Sequence, residues 1–264
     1  MRRASGLCTF AEGFRGVKTC LMVWLWVACF GASVQAGEVS VAVAANFTAP
    51  MRKIAEAFER DTGHKALLAF GSTGKFYAQI KNGAPFDVLL AADARTPARL
   101  VAEGLGVKAS GFTYAIGRLV LWSARTGFVD EQGAVLAAGK FERLALADPR
   151  LAPYGEAAVQ TLKALGLYDR LAGKLVQGDS AAQAYQFVAT GNAALGFVAL
   201  SQVLVDGRIG AGSGWIVPSH LHTPIRQDAL LLRRATSQPA ALALAAYLRG
   251  DKARAIIRAH GYDF

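Results

Sequence analysis

Beyond Cys29 the chain contains no cysteine. Its three thiols, Cys8, Cys20 and Cys29, all fall within the first 36 residues. The remainder therefore holds no disulfide, no thiol nucleophile and no cysteine-ligated metal. Long apolar runs are nearly as scarce. The conspicuous one, "CLMVWLWVACFGA" at 20–32, is shorter than the roughly 20 residues that cross a bilayer. Arg2, Arg3, Arg15 and Lys18 precede it, and "SVQA" follows, ending at Ala36 with Val34 two residues before. A basic lead, a short apolar stretch and a small-residue end form the pattern of an export signal over 1–36, cleaved after Ala36. Lipid attachment at Cys29 is disfavoured by Trp26, which stands where an aliphatic residue is expected.

Charge is sparse too. Charged residues make up 18% of the chain and hydrophobic ones 53%, enough to build a full core in 264 residues, as one large domain or two lobes. The formal charge is +10, and losing four basic residues and one acid with the signal leaves +7. Such a field suits an anionic ligand or a negatively charged surface without choosing between them. There is no repeat, low-complexity tract or DNA-binding segment, so no nucleic-acid partner is expected.

What is present alternates. "VSVAVAA" (39–45), "KALLAF" (65–70) and "FDVLLAAD" (86–93) read as buried strands. Between and after them, 49–63, 75–83 and 95–104 carry helical periodicity; Met51, Ile54, Ala55 and Phe58 share one face, and Gly63 closes that helix. Strands at 143–149, 174–180 and 194–201 alternate with helices at 155–167 and 181–192, and two helices within 238–262 end the chain. Two stretches, 112–124 and 226–235, are long enough to cross between lobes. The fold class is α/β, with largely parallel sheets covered by helices.

"AFGSTGKFYAQI" (69–80) looks like a phosphate loop but fails as one. A Walker A motif needs glycine at 69 and a hydroxyl at 76; the chain has Ala69 and Phe76, so a magnesium ligand is missing. The physics survives the motif. The first N–H groups of a helix have no partner within it, and its dipole attracts anions. Small residues let an anion approach the backbone, and Ser72 and Thr73 add hydroxyl donors. Taken alone, this loop is better explained by ordinary N-capping. But the pattern recurs in "AANFTAP" (44–50), in "DPRLAPYGEA" (148–157) with Tyr154, and in "GDSAAQA" (178–184) with Asp179, Ser180 and Ala181. In open α/β sheets, ligands sit at the carboxyl ends of strands, where four such junctions can converge.

These segments, with "GSTGKFYAQIKNGAPFDVLLAAD", "FTYAIGRLVLWSA", "LGFVALSQV" and "KARAIIRAHGY", resemble the periplasmic molybdate-binding proteins of ABC importers, which also take tungstate; the likeness covers 38–264. The resemblance implies a two-lobed, type II-like periplasmic binding fold, each lobe a mixed, mostly parallel sheet flanked by helices. Residues 37–116 and 226–264 would form one lobe and 117–225 the other, with the ligand between them. It implies a monomer in the periplasm that delivers its oxyanion to a membrane permease. The implied ligand contacts are Asn46 with the backbone near Ala45, the pair Ser72 and Thr73, Tyr154, and the backbone N–H of Ala181. Molybdenum would be held only as molybdate, through its oxygens, and no other cofactor is expected. One departure is Ala199, where some members carry a tyrosine. A site made only of donors would reject protonated phosphate, whose O–H needs an acceptor. Asp179 is expected to turn its carboxylate away from the anion.

Other polar residues read more plainly. Lys75 is expected to be solvated, His220 and His222 to lie in a surface loop, His64 and His260 at helix ends, and Trp122, Tyr185 and Phe197 in the core. No nucleophile is paired with an evident base, so an enzyme is not expected. The alternatives are a receptor for sulfate, phosphate or an organic anion, or an exported enzyme acting on a small anion.

Overall fold

The computed structural model describes residues 36–264; apart from Ala36, the expected export signal lies outside the described residues. Strand β1 (Glu38–Ala44) runs through a 3₁₀ turn (Ala45–Phe47) into α1 (Thr48–Thr62). Then follow β2 (Lys65–Gly71), α2 (Thr73–Lys81), β3 (Val88–Leu90), α3 (Arg95–Ala102) and β4 (Phe112–Gly117). The second set comprises β5 (Leu119–Ser123), α4 (Ala134–Ala138), β6 (Leu144–Ala147), α5 (Pro153–Ala164), α6 (Tyr168–Leu171), β7 (Leu175–Gly178), α7 (Ala181–Ala189) and β8 (Leu195–Ala199). A small hairpin, β9 (Leu204–Val205) and β10 (Arg208–Ile209), precedes β11 (Ser213–Ile216). The chain ends with β12 (Ile225–Leu231), α8 (Pro239–Tyr247) and α9 (Asp251–Ala259).

Two five-stranded sheets organise these elements, in the orders β2-β1-β3-β12-β4 and β11-β5-β8-β6-β7. In the first, β1 pairs in parallel with β2 and β3, while β12 runs antiparallel to β3 and β4. In the second, β6 is parallel to β7 and β8, and β5 is antiparallel to β8 and β11. Both are mixed, as expected. The long apolar stretch 112–124 breaks at Arg118: β4 ends in one sheet and β5 begins the other. The return crossing is made by 217–224, between β11 and β12, and not by 226–235 as expected: β12 already lies within the first sheet.

Burial explains the elements. β1 is apolar on both faces because strands flank it and helices cover it; Val39, Val41, Ala42 and Val43 are fully buried. Met51, Ile54 and Phe58 of α1 pack with Val41, Leu244 and Ile257, so the terminal helices complete the first lobe. Gly63 ends α1 in the left-handed region, φ +75°, its N–H bonded to the Glu59 carbonyl. Leu121, Leu136, Leu146, Leu162, Phe197 and Trp215 form the second core. The elements that periodicity did not mark, α4, α6 and β9–β11, span two to five residues each. That is too short for a period to declare itself.

One contact sets how closely α5 sits on the end of β6. A Cβ on Gly155 would lie 2.0 Å from the Ala147 carbonyl oxygen, so only glycine fits there. Gly155→Ala is therefore expected to destabilise the protein by about 1–3 kcal/mol through overpacking. The check is a lower urea midpoint with an unchanged slope.

Candidate functional site

The carboxyl ends of β1, β2, β6 and β7 lead into four helix starts. Ala45 and Asn46 open the 3₁₀ turn, Ser72 caps α2 and Thr73 begins it, Tyr154 is the second residue of α5, and Ala181 is the first of α7. All six are buried, the most exposed being Ala45 at 6%. Direct bonds tie the two sets of elements together. The Gly74 N–H donates to the Leu151 carbonyl at 2.9 Å, and the Ser201 hydroxyl to the Asn46 carbonyl at 2.8 Å. Ala44 and Ala92 of the first lobe pack in one cluster with Tyr154, Ala181 and Ala199 of the second.

The hydroxyls divide into two kinds. Tyr114, Ser123, Thr161, Ser201 and Tyr262 are buried, and each donates its proton to a backbone carbonyl. Ser72, Thr73 and Tyr154 are equally buried; among the described residues Ser72 and Thr73 donate to nothing, while the Tyr154 phenol lies beside the Tyr262 hydroxyl. Each accepts from a protein N–H: Ser72 from Lys75 at 3.4 Å, Thr73 from Ala92 at 2.9 Å, and Tyr154 from Gln227 Nε2 at 3.3 Å. An oxygen whose lone pair is occupied by a protein N–H has its own proton left for something else. These are the three hydroxyls singled out from sequence, and they lie on both sides of the interlobe contact.

Asn46 is placed differently from a simple side-chain ligand. Both protons of its amide are spoken for, by Gln227 Oε1 at 2.9 Å and the Tyr262 hydroxyl at 3.1 Å. What the Ala45–Asn46 turn offers outward is backbone, whose first N–H groups have no partner inside the turn. Ala181 likewise presents a helix-start N–H, with Ser180 capping α7 through the Gln183 N–H at 3.3 Å.

The sequence reading overlooked four residues of this centre: Gln227, Tyr114, Tyr262 and Ser201. Alternation in "IRQDA" was a usable signal, because it puts Gln227 on the buried face with Ile225 and Ala229. Nothing local marks Tyr262, which the C-terminal segment brings in from 216 residues beyond Asn46. Burial pushes the Tyr114 and Tyr154 phenols well above their usual range, and Tyr262 up to about 12. All three remain protonated donors at neutral pH. Ala199 is fully buried and offers only an N–H, which donates to Gln202 Oε1.

Lys75 is exposed to solvent, as expected, and it also has a partner. Its ammonium pairs with Asp179 across the mouth of the cleft, where α2 and the α7 start line an open cavity of about 740 Å³. The Asp179 carboxylate is largely exposed, and the lysine neutralises a charge that would otherwise repel an anion. Arg95 and Glu156 make a second pair across the cleft at 3.0 Å. Among the described residues no three His, Cys, Asp or Glu side chains gather as a metal site, and no helix is long and apolar enough to cross a membrane.

The family model for bacterial extracellular solute-binding proteins matches residues 39–263. The chain belongs to that family. Among curated members, the molybdate-binding protein ModA of Azotobacter vinelandii is 59% identical, covering 92% of this chain and 96% of its own length. ModA of Rhodobacter capsulatus is 52% identical, over 86% of this chain and 88% of its own. The solved periplasmic molybdate-binding protein of Azotobacter vinelandii superposes with a TM-score of 0.83 at 41% identity, covering 86% of this chain and 99% of its own. The resemblance and the two-lobed α/β fold read from the motifs are borne out.

For this solute-binding protein the buried phenols predict a pH response. An unfolded phenol titrates near about 10, whereas these three titrate higher when folded, Tyr262 at about 12. Above pH ~10 the unfolded chain binds fewer protons than the native one, so stability falls as pH rises. Each phenol contributes a slope of up to about 1.4 kcal/mol per pH unit. Stability is thus complete below pH ~10 and is lost toward 12. Urea midpoints at pH 9, 10 and 11 should decline, and less steeply in Tyr154→Phe.

Proposed function

We propose that this protein is a periplasmic receptor that captures molybdate, and tungstate with it, and delivers the oxyanion to the permease of an ABC importer. One observation carries the reading: three buried hydroxyls, on elements of both lobes, each accept from a protein N–H beside four helix starts. A tetrahedral dianion is the ligand such a set suits. Each oxygen can be met by a neutral donor, helix dipoles favour its charge, and no buried ion pair is required. The names of the relatives supply the ion, since both are called molybdate-binding.

In this reading the ligand residues are Ser72, Thr73 and Tyr154 through hydroxyls, and Ala45, Asn46 and Ala181 through backbone. Molybdenum is reached only through oxygen, and no separate cofactor takes part. The lobes, 37–116 with 226–264 and 117–225, close on the anion because only the closed form brings both donor sets to it, a shift of population by differential affinity. The acting species is the monomeric chain beginning at Gly37, after export. It is a binder and not an enzyme: the hydrogen-bond partner of the Tyr154 phenol is an amide donor, where a catalytic acid or nucleophile needs a base.

Two measurements test this. Calorimetric titration of the 37–264 protein should give one molybdate per chain and a rise in melting temperature, with tungstate equivalent and sulfate weaker. No heat and no shift with any of the three removes the oxyanion reading. Tyr154→Phe and Ser72→Ala should each lower molybdate affinity by about ten- to a hundredfold, the worth of one hydrogen bond to a charged group, with circular dichroism unchanged.

A further inference from the structure

Gln227 touches both lobes, and its chemistry reaches further than packing. It lies on β12 and is completely buried. A β-bulge between Gln227 and Asp228 interrupts the pairing of β12 with β4 at this point. The neighbouring strand leaves room for it: a Cβ on Gly117 would lie 2.2 Å from the Tyr154 hydroxyl and 2.6 Å from Gln227 Nε2. Glycine in "YAIGR" thus permits the phenol and the amide to meet.

From the far end, the hydrogen bonds form one consistent chain. The Tyr262 hydroxyl donates to the Asn46 carbonyl at 2.8 Å. With its proton committed, it can only accept from the Asn46 side chain, so Nδ2 faces it at 3.1 Å. The second Nδ2 proton then points to Gln227, which must present Oε1, at 2.9 Å. The Tyr114 hydroxyl, 3.0 Å from the same Oε1, shares its one proton between that oxygen and the Ala91 carbonyl. With Oε1 so held, Nε2 is turned to Tyr154, at 3.3 Å. The phenol's acceptor position is thus filled by Gln227, and its proton can pass from the neighbouring Tyr262 oxygen to a bound anion.

We propose that Gln227 is a positioning and selectivity residue: at the end of a hydrogen-bond relay from Tyr262 through Asn46, it obliges Tyr154 to donate. This rests on the oxyanion reading above. A phenol whose acceptor position is filled can serve a fully deprotonated oxyanion. It cannot receive the O–H of hydrogen phosphate, which is left buried and unpaired. Discrimination against protonated oxyanions is then set by an amide that need not touch the ligand.

The test is separate calorimetric titrations with sodium molybdate and with inorganic phosphate at pH 7.5, of wild type, Gln227→Met, Tyr154→Phe and the double variant. Binding of molybdate by wild type checks the underlying reading; its absence ends that reading and says so independently of the variants. Given wild-type binding, Gln227→Met should narrow the ratio of molybdate to phosphate affinity by about tenfold, the worth of one hydrogen bond. The narrowing should vanish in the Tyr154→Phe background. A merely structural role would weaken both anions by the same factor, and that result overturns the proposal, as does a narrowing that persists without the Tyr154 hydroxyl. Tyr262→Phe removes the start of the relay while keeping Gln227 and the aromatic ring, and so serves if Gln227→Met does not fold. It should narrow the ratio in the same direction, and an unchanged ratio there also overturns the relay.

Discussion

An N–H at the start of a helix has no carbonyl behind it to answer it, and the molecule gathers four such starts at the ends of β1, β2, β6 and β7. That constraint governs much else. Parallel pairing of β1 with β2 and of β6 with β7 sends their carboxyl ends the same way, so their helices begin in the same region. Small residues follow because backbone must come close: Gly74 lies against Leu151 and Gly155 against Ala147. The apolar seam of Ala44, Ala92, Ala181 and Ala199 follows for the same reason.

The electrostatics follow as well. A region rich in unanswered donors is positive without holding a formal charge, so it can meet an anion without the desolvation of a buried cation. Formal charges stay at the rim, already paired: Lys75 with Asp179 and Arg95 with Glu156. Such exposed pairs add little to stability. Their placement on opposite lobes makes them contacts of the closed arrangement, so they bear on opening more than on folding.

Much of the fold was legible locally. Amphipathic period and a closing glycine marked α1, and continuous apolar runs marked β1 and β6, because their burial is dictated by short-range pattern. Short elements escaped, since four residues of β11 carry no period. In the site, Ser72, Thr73 and Tyr154 stood out because a helix start is a local feature. The partner of the exposed Lys75 could not be read because it is 104 residues away.

By itself, the sequence determined the classes of chemistry open to the chain: no thiols beyond Cys29, no nucleotide loop around Lys75, and hydroxyls or small residues at strand-to-helix junctions. These depend on residue type and near neighbours. Tertiary structure alone decided which protons remain to be given. Whether Tyr154 donates or accepts depends on Gln227, whose orientation depends on Asn46 and Tyr262. Those four residues lie on separate elements, and only the packed fold brings their atoms within about 3 Å, where hydrogen bonds acquire direction.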